Sequence, residues 1–382
     1  MGDTRPRGNS QCTVEVRVID TNTLVYIDPK LFCQPEIEGF AGYHAPIYCF
    51  LISNGDRHVI FDLGVRPDWR NYAPSVVSLI EATTAITAGS DVASILDSGT
   101  SSVGIQRTDI ESVIWSHSHF DHIGDISTFP SSTELVVGPG VCAASWPGWP
   151  QVQDAKVLEA DRHGRHVREI AFDPDMHFGS FEAFDFFGDG SFYLLDAPGH
   201  AIGHLCAAAR CTVDPPSFIF MGADACHHPG ILRPTESLPL PQPQANDILS
   251  APSPSRHLVE KPSGRLEICE TEVTGQRDPG WCPGALLQQL TRDGTFRTPF
   301  QQVADGPLFP DHKSAMETIR KIQELDAADN VFVLIAHDLS LRSKIPFFPD
   351  TINDWMEKDL KNNTRWLFCT DFDRAIKRLI TR

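Results

Sequence analysis

The chain has 382 residues, 41% of them apolar and 21% charged, with 10 cysteines and a formal net charge of −18. This composition excludes wholesale disorder. Apolar runs as short as residues 331–336 cannot span a bilayer, and so acidic a surface argues against a nucleic-acid binder. The length allows two or three domains, or one large α/β domain with insertions. Residues 1–10 carry no apolar stretch of a secretory signal, and Pro6 stands where a myristoylation signal wants Ser or Thr. The cysteines form no C-x-x-C pair and read as free thiols in a reducing compartment, so a cytoplasmic location is expected.

In chain order, Val14, Val16 and Val18 alternate with polar residues, the period of a half-buried strand, and Leu24–Ile27 is its expected hairpin partner. Residues 47–52 form a near-continuous apolar run. Asn54-Gly55 marks a turn, and residues 59–61 return as a strand ending at Asp62-Leu63-Gly64. Residues 74–98 read as a helix with Val76, Val77 and Ile80 on one face. Short strands are expected at 113–115, 135–137, 192–195, 218–221 and 331–335. Four of these runs deliver a His or Asp just past their last residue: His117, Asp196 with His200, Asp224, and His337. In sheet proteins such groups gather at one rim, where sites are built.

Eight prolines (Pro229, Pro234, Pro239, Pro241, Pro243, Pro252, Pro254, Pro262) exclude regular helix or central strand from 229–262. The stretch reads either as a surface loop or as a lid or wall over a site. Ala315, Ile319, Ile322 and Leu325 then recur at helical spacing behind Asp311, a candidate cap. Residues 355–380 read as an amphipathic helix, a turn and a tail helix. No internal repeat is present.

The chemistry concentrates in His117-x-His119-x-Asp121-His122, four metal-competent side chains within six residues. On a loop at a strand end, imidazoles at i and i+2 can close on one ion while Asp121 and His122 face a second. Zinc takes such nitrogen and oxygen donors, and iron, cobalt or nickel accept imidazole as well.

This pattern resembles the H-x-H-x-D-H signature of the metallo-β-lactamase superfamily. Pro198-Gly199-His200-Ala201-Ile202-Gly203-His204, Gly222-Ala223-Asp224 and Ala336-His337-Asp338 resemble that family's later segments, in the same order. The resemblance covers roughly residues 12–340. It implies an αββα sandwich, read here as one domain over 1–382 with a Pro-rich insertion at 229–312. It also implies two Zn²⁺ ions, with Fe, Mn or Co as alternatives. His117, His119 and His200 would hold the first ion, Asp121, His122 and His337 the second, and Asp224 would bridge. Asp62 resembles a residue that orients ligands, or serves only as a turn carboxylate. His204 is expected to support the site from beneath.

The implied reaction is hydrolysis of an acyl group by a metal-bridging hydroxide, with Asp121 passing a proton to the leaving group. The strand end at Asp62 and the 117–125 run look most like the lactonase branch, similar to N-acyl homoserine lactonases. Those enzymes place a Tyr three positions after the bridging Asp, where this chain has His227. His227 or His228 could donate a hydrogen bond to an oxyanion, or the two form a solvated pair at a loop start. The His227-His228-Pro229-Gly230 context is also similar to fungal γ-lactamases that open benzoxazolinone-type lactams, which implies xenobiotic detoxification.

The expected partner is a small cyclic ester or amide, without nucleic acid or membrane; a homodimer is left open. A thioesterase shares the ligands but usually needs a basic patch, for which a net charge of −18 gives no sign. A di-iron reductase places a Glu where His119 stands. A non-catalytic binding protein should have lost ligands, yet all seven positions are filled.

Overall fold

The structure, a computed structural model, describes residues 11–98, 103–241, 255–261, 264–271 and 284–381. Residues 1–10, Pro243, Pro252, Pro254, Pro262 and Cys282 lie outside the described residues. The apolar run after residue 47 explains the first sheet. In the strand Tyr48–Asn54, Phe50 and Ile52 face one apolar cluster while Cys49 and Leu51 face another. A strand covered on both faces reads as a continuous apolar run rather than an alternating one.

That sheet has six strands, in the order Glu15–Asp20, Tyr48–Asn54, Arg57–Phe61, Ile110–Ile114, Glu134–Val137 and Val167–Glu169. The second has eight: Ser255–Glu260, Leu266–Thr271, Asp173–Phe178, Phe181–Asp185, Phe192–Asp196, Leu205–Val213, Pro216–Met221 and Val331–Leu334. Val16, Phe50, Phe61 and Ile114 of the first sheet meet Leu194, Ala207, Ile219 and Leu334 of the second in the core between them. The helices Pro74–Thr83 and Val92–Asp97 cover the outer face of the first sheet through Val76, Ile80 and Leu96. The helix His312–Asp326 covers the second through Ala315, Ile319, Ile322 and Leu325, with Asp311 accepting the Ser314 N–H as its cap. The result is a four-layer αββα sandwich.

Strand direction gathers the polar strand ends. Arg57–Phe61 runs parallel to Ile110–Ile114, and Pro216–Met221 parallel to Val331–Leu334. Phe192–Asp196 reaches the same rim through two antiparallel neighbours. The Leu205 N–H donates to the Ser116 carbonyl at 2.7 Å, joining the two sheets there.

Three local expectations are corrected. Leu24–Ile27 does not pair with the first strand; it pairs with Tyr43–Ala45 and Ile86–Thr87 in a separate three-stranded sheet. The first strand pairs instead with Tyr48–Asn54. The Ser90 N–H donates to the Thr21 carbonyl and the Gly89 N–H to Thr23 Oγ1, so a distant segment takes the bonds a local hairpin would use. Second, residues 74–98 are two helices. The β-branched run around Thr83, Thr84 and Ile86 is stiff in a helix and supplies a strand instead, and Asp91 caps the second helix by accepting from the Ser94 N–H. Third, the first helix within residues 355–380 is only Leu360–Thr364, and a 3₁₀ segment Leu367–Phe372 rather than a plain turn leads into the tail helix Asp373–Ile380. Buried Lys361 of the first helix donates to the carbonyls of Asp326, Ala328 and Val331, tying it to the end of the helix His312–Asp326 and the start of the strand Val331–Leu334.

Within 229–312, residues 229–234 are buried rather than a surface loop. The hairpin of Ser255–Glu260 and Leu266–Thr271 extends the second sheet, with Ser255–Glu260 at its edge. Among the described residues, no helix is long and apolar enough to cross a membrane.

Candidate metal centre

The motif begins where the strand Ile110–Ile114 ends. Trp115 still donates to the Val136 carbonyl, and the chain then turns into the one-turn helix Phe120–Ile123. His117 and His122 therefore project to the same point. The rim brings together all seven side chains expected from the sequence. One group is His117, His119, His200 and Asp224, the other Asp121, His122, Asp224 and His337; within each, the donor atoms lie within 4.8 Å of one another.

Asp224 stands between the groups. Its Oδ1 lies 2.9 Å from His122 Nε2 and 3.0 Å from His337 Nε2. Its Oδ2 lies 3.8 Å from His117 Nε2 and 3.6 Å from His200 Nε2. Asp121 Oδ2 is 3.6 Å from His337 Nε2 and 3.9 Å from His122 Nε2.

The outer nitrogens are tied. His122 Nδ1 donates to Asp62 Oδ2 at 2.7 Å, and His337 Nδ1 to the Pro46 carbonyl at 2.9 Å. His117 Nδ1 lies 3.0 Å from Ser116 Oγ. With the proton of His122 and of His337 on Nδ1, the Nε2 lone pair faces inward. The buried Nε2 atoms of His117, His122 and His337, and Asp224 Oδ1, make no well-directed hydrogen bond, although Oδ1 lies within 3.0 Å of two of these nitrogens. Buried polar atoms are nearly always satisfied, so inward lone pairs converging on a shared carboxylate fit a pair of metal ions. His119 and His200 bring Nδ1 and Nε2 within 2.9 Å of each other.

The charges differ around the site, and without an ion part of it holds protons that a metal would displace. Burial and the neighbouring imidazoles hold His117 well below the usual histidine range, and His200 likewise. Burial lowers His122 as well, but the carboxylates of Asp224, Asp62 and Asp121 outweigh it and hold that imidazole well above its ordinary value. Burial would raise Asp224, yet His122, His337 and His227 hold it well below.

Asp62 does more than close a turn. Besides His122, it accepts the Ser116 N–H at 2.7 Å, from a backbone with φ of +64°. His204 lies beneath the site: its Nδ1 donates to the Ala197 carbonyl and its Nε2 accepts the Asp224 N–H. His227 is inside as well, with Nε2 3.1 Å from Asp224 Oδ2 and its ring between Phe32 (centroids 3.9 Å) and His337 (5.2 Å). His228 points away, toward Asp371. The two adjacent histidines are buried and are not a solvated pair. Sequence reasoning missed Ser116, Phe32, Tyr43, whose hydroxyl donates to the His227 carbonyl, and Phe309, whose ring lies 5.1 Å from that of His200. Ser116 abuts the motif and was detectable; the others arrive from distant segments with no local signal.

Residues 43–210 match the model of the metallo-beta-lactamase superfamily. The chain is 58% identical over 371 residues to metallo-hydrolase mfmC of Annulohypoxylon moriforme, covering 97% of this chain and 90% of that one. It is 38% identical over 384 residues to gamma-lactamase FDB1 of Fusarium pseudograminearum (strain CS3096), covering 98% and 86%. An N-acyl homoserine lactone hydrolase, solved with N-hexanoyl-L-homoserine at its catalytic metal centre, has the same fold. It superposes with a TM-score of 0.53 at 14% identity, over 89% of this chain and 100% of that one. With its layers, its rim of ligand-type side chains and these relatives, the chain belongs to the metallo-β-lactamase superfamily of hydrolases.

Proposed function

We propose that this enzyme opens a lactone or lactam ring by hydrolysis, with two metal ions held at the centre described above. One observation carries the reading: Asp224 turns one oxygen to each of two imidazole groups, and the Nε2 atoms of His117, His122 and His337 converge on it without a well-directed hydrogen bond. His117, His119 and His200 would hold one ion, and Asp121, His122 and His337 the other, with Asp224 between them. Zinc suits imidazole nitrogen and carboxylate oxygen; iron, manganese or cobalt accept the same donors. When bound, such a pair polarises an acyl oxygen and makes water acidic enough to supply hydroxide near neutral pH.

The chain's own groups do the rest. Asp62 and the Pro46 carbonyl hold two imidazoles in the tautomer that aims Nε2 inward. Asp121 takes the proton of the attacking water and delivers it to the departing oxygen or nitrogen. His227 offers its Nε2–H to the acyl oxygen, the task of Tyr in the lactonases the chain resembles. Ser118, His119 and Phe120 are partly exposed while the other ligands are buried, so a small cyclic substrate approaches from their side. The γ-lactamase relative at 38% identity supports ring opening as the reaction class. Buried thiols such as Cys33, Cys49, Cys206 and Cys226, which form no disulfide among the described residues, support a cytoplasmic setting, and removal of foreign cyclic amides or esters is the role proposed there.

The test is metal analysis of the purified protein, followed by proton release over a panel: an N-acyl homoserine lactone, a simple γ-lactone, a benzoxazolinone, a γ-lactam and an aryl thioester. About two ions per chain and ring opening faster than thioester cleavage are expected. A protein that takes up no metal overturns the reading, and a thioester preferred over every ring replaces it with a thioesterase.

A further inference from the structure

His228 takes no part in the chemistry above, yet it is one of the most tightly held side chains near the centre. It is 1% exposed. Its Nδ1 accepts the Gly230 N–H at 3.1 Å, which leaves the ring proton on Nε2, and Nε2 donates to Asp371 Oδ2 at 3.2 Å. Four aromatic rings surround it: Phe40 at 4.8 Å, Tyr43 at 5.9 Å, Phe368 at 5.5 Å and Phe372 at 5.3 Å between centroids. Asp371, Phe368 and Phe372 belong to the 3₁₀ segment Leu367–Phe372, far outside the stretch 43–210 that matches the family model.

The neighbouring backbone is held equally firmly. The Tyr43 hydroxyl donates to the His227 carbonyl at 2.5 Å, and the Ile231 N–H donates to the His228 carbonyl at 3.0 Å. His227 thus has little freedom of its own. Its ring lies between Phe32 and His337, and its Nε2 lies 3.1 Å from Asp224 Oδ2. An imidazole aimed at a reacting atom must be held to a fraction of an ångström to be effective. Consecutive residues share a peptide, so fixing the ring and carbonyl of His228 fixes the direction from which His227 enters the site.

We propose that His228 and Asp371 are positioning residues: Asp371, carried on the C-terminal segment, orients the His228 imidazole, and His228 in turn holds His227 at the centre. This rests on the role given to His227 under Proposed function. The C-terminal segment is then part of the working site, although it supplies no metal ligand.

The test uses Asp371→Ala, Asp371→Asn and His227→Ala, alone and combined, in the full chain. Asp371 is 23% exposed at its side chain, so truncation spares the core. On the panel substrate with the highest rate, Asp371→Ala should lower kcat roughly tenfold with KM within twofold and metal content unchanged. Asp371→Asn, which keeps an acceptor oxygen, should recover most of the loss. In the His227→Ala background, Asp371→Ala should change kcat less than twofold, because both act through one group. Histidine-ring NMR of the metal-free protein gives a readout without substrate: the His227 signal should shift or broaden in Asp371→Ala while that of His337 stays put. Multiplicative effects on kcat, or an unmoved His227 signal, overturn the positioning role and leave the hydrolase reading intact. Wild-type turnover in His227→Ala removes the role of His227 itself, and this proposal with it.

Discussion

Asp62→Asn isolates the orientation of one ligand. Asp62 is 1% exposed; its Oδ2 accepts from His122 Nδ1 and its Oδ1 from the Ser116 N–H, both at 2.7 Å. Asn tolerates the φ of +64°, so the backbone is kept. An amide has one oxygen for two donors. The Ser116 N–H cannot move its proton, whereas His122 can change tautomer, so the oxygen should stay on Ser116 and the amide N–H₂ should face His122. The imidazole proton then shifts to Nε2 and points into the centre, where a lone pair was. Loss of such a partner typically costs 10–100-fold in metal affinity, about 1.4–2.8 kcal/mol. Asp62→Ala should behave differently, leaving two buried donors unpaired at about 1–3 kcal/mol each. It should therefore lose roughly 2–6 kcal/mol of fold stability as well. Competition with a chromophoric zinc chelator reads the first quantity, and denaturant unfolding of metal-free protein reads the second. If Asp62→Asn binds both ions with wild-type affinity, the tautomer argument is wrong.

Three further outcomes are expected. His119→Ala should abolish turnover and lower metal content, with the melting temperature of metal-free protein little changed, because the side chain is partly exposed; measurable turnover would contradict the site. Gly199→Ala should destabilise by roughly 2–6 kcal/mol, since the residue has φ of +129° and an added Cβ would lie 2.3 Å from Ala315 Cα; wild-type unfolding midpoints would refute the close approach of the His200 loop to the helix His312–Asp326. Burial pushes the Asp161 carboxyl from an ordinary 3.8 up to about 7. The folded state therefore holds a proton the unfolded state releases, and stability falls as pH rises between those values, by about 4 kcal/mol at most. Asp161→Asn, which does not titrate, should gain stability over wild type at pH 8 relative to pH 5; equal differences at both would refute the shift.

Short apolar runs followed by His or Asp were legible because both signals are local. A buried strand needs an unbroken apolar stretch, and ligand-bearing loops need particular side chains a few residues apart. The same locality explains the misplacements. The Leu24–Ile27 strand found its partners at 43–45 and 86–87, and the break at Thr84 depends on that pairing as much as on β-branched residues. Nothing near Phe32, Phe309 or Asp371 in the chain announces that they pack beside His227 or His228, since those contacts span tens to hundreds of positions.

By itself the order of amino acids determined the layered sheet class, the ligand types and the strand ends that carry them, because periodicity and donor chemistry act over a few residues. Which carboxylate oxygen faces which imidazole, which ring nitrogen keeps its proton, and that the C-terminal segment braces the histidine beside the centre were decided only by the tertiary structure. Those features depend on the burial and relative placement of groups far apart in the chain, and such placement exists only once the two sheets have packed.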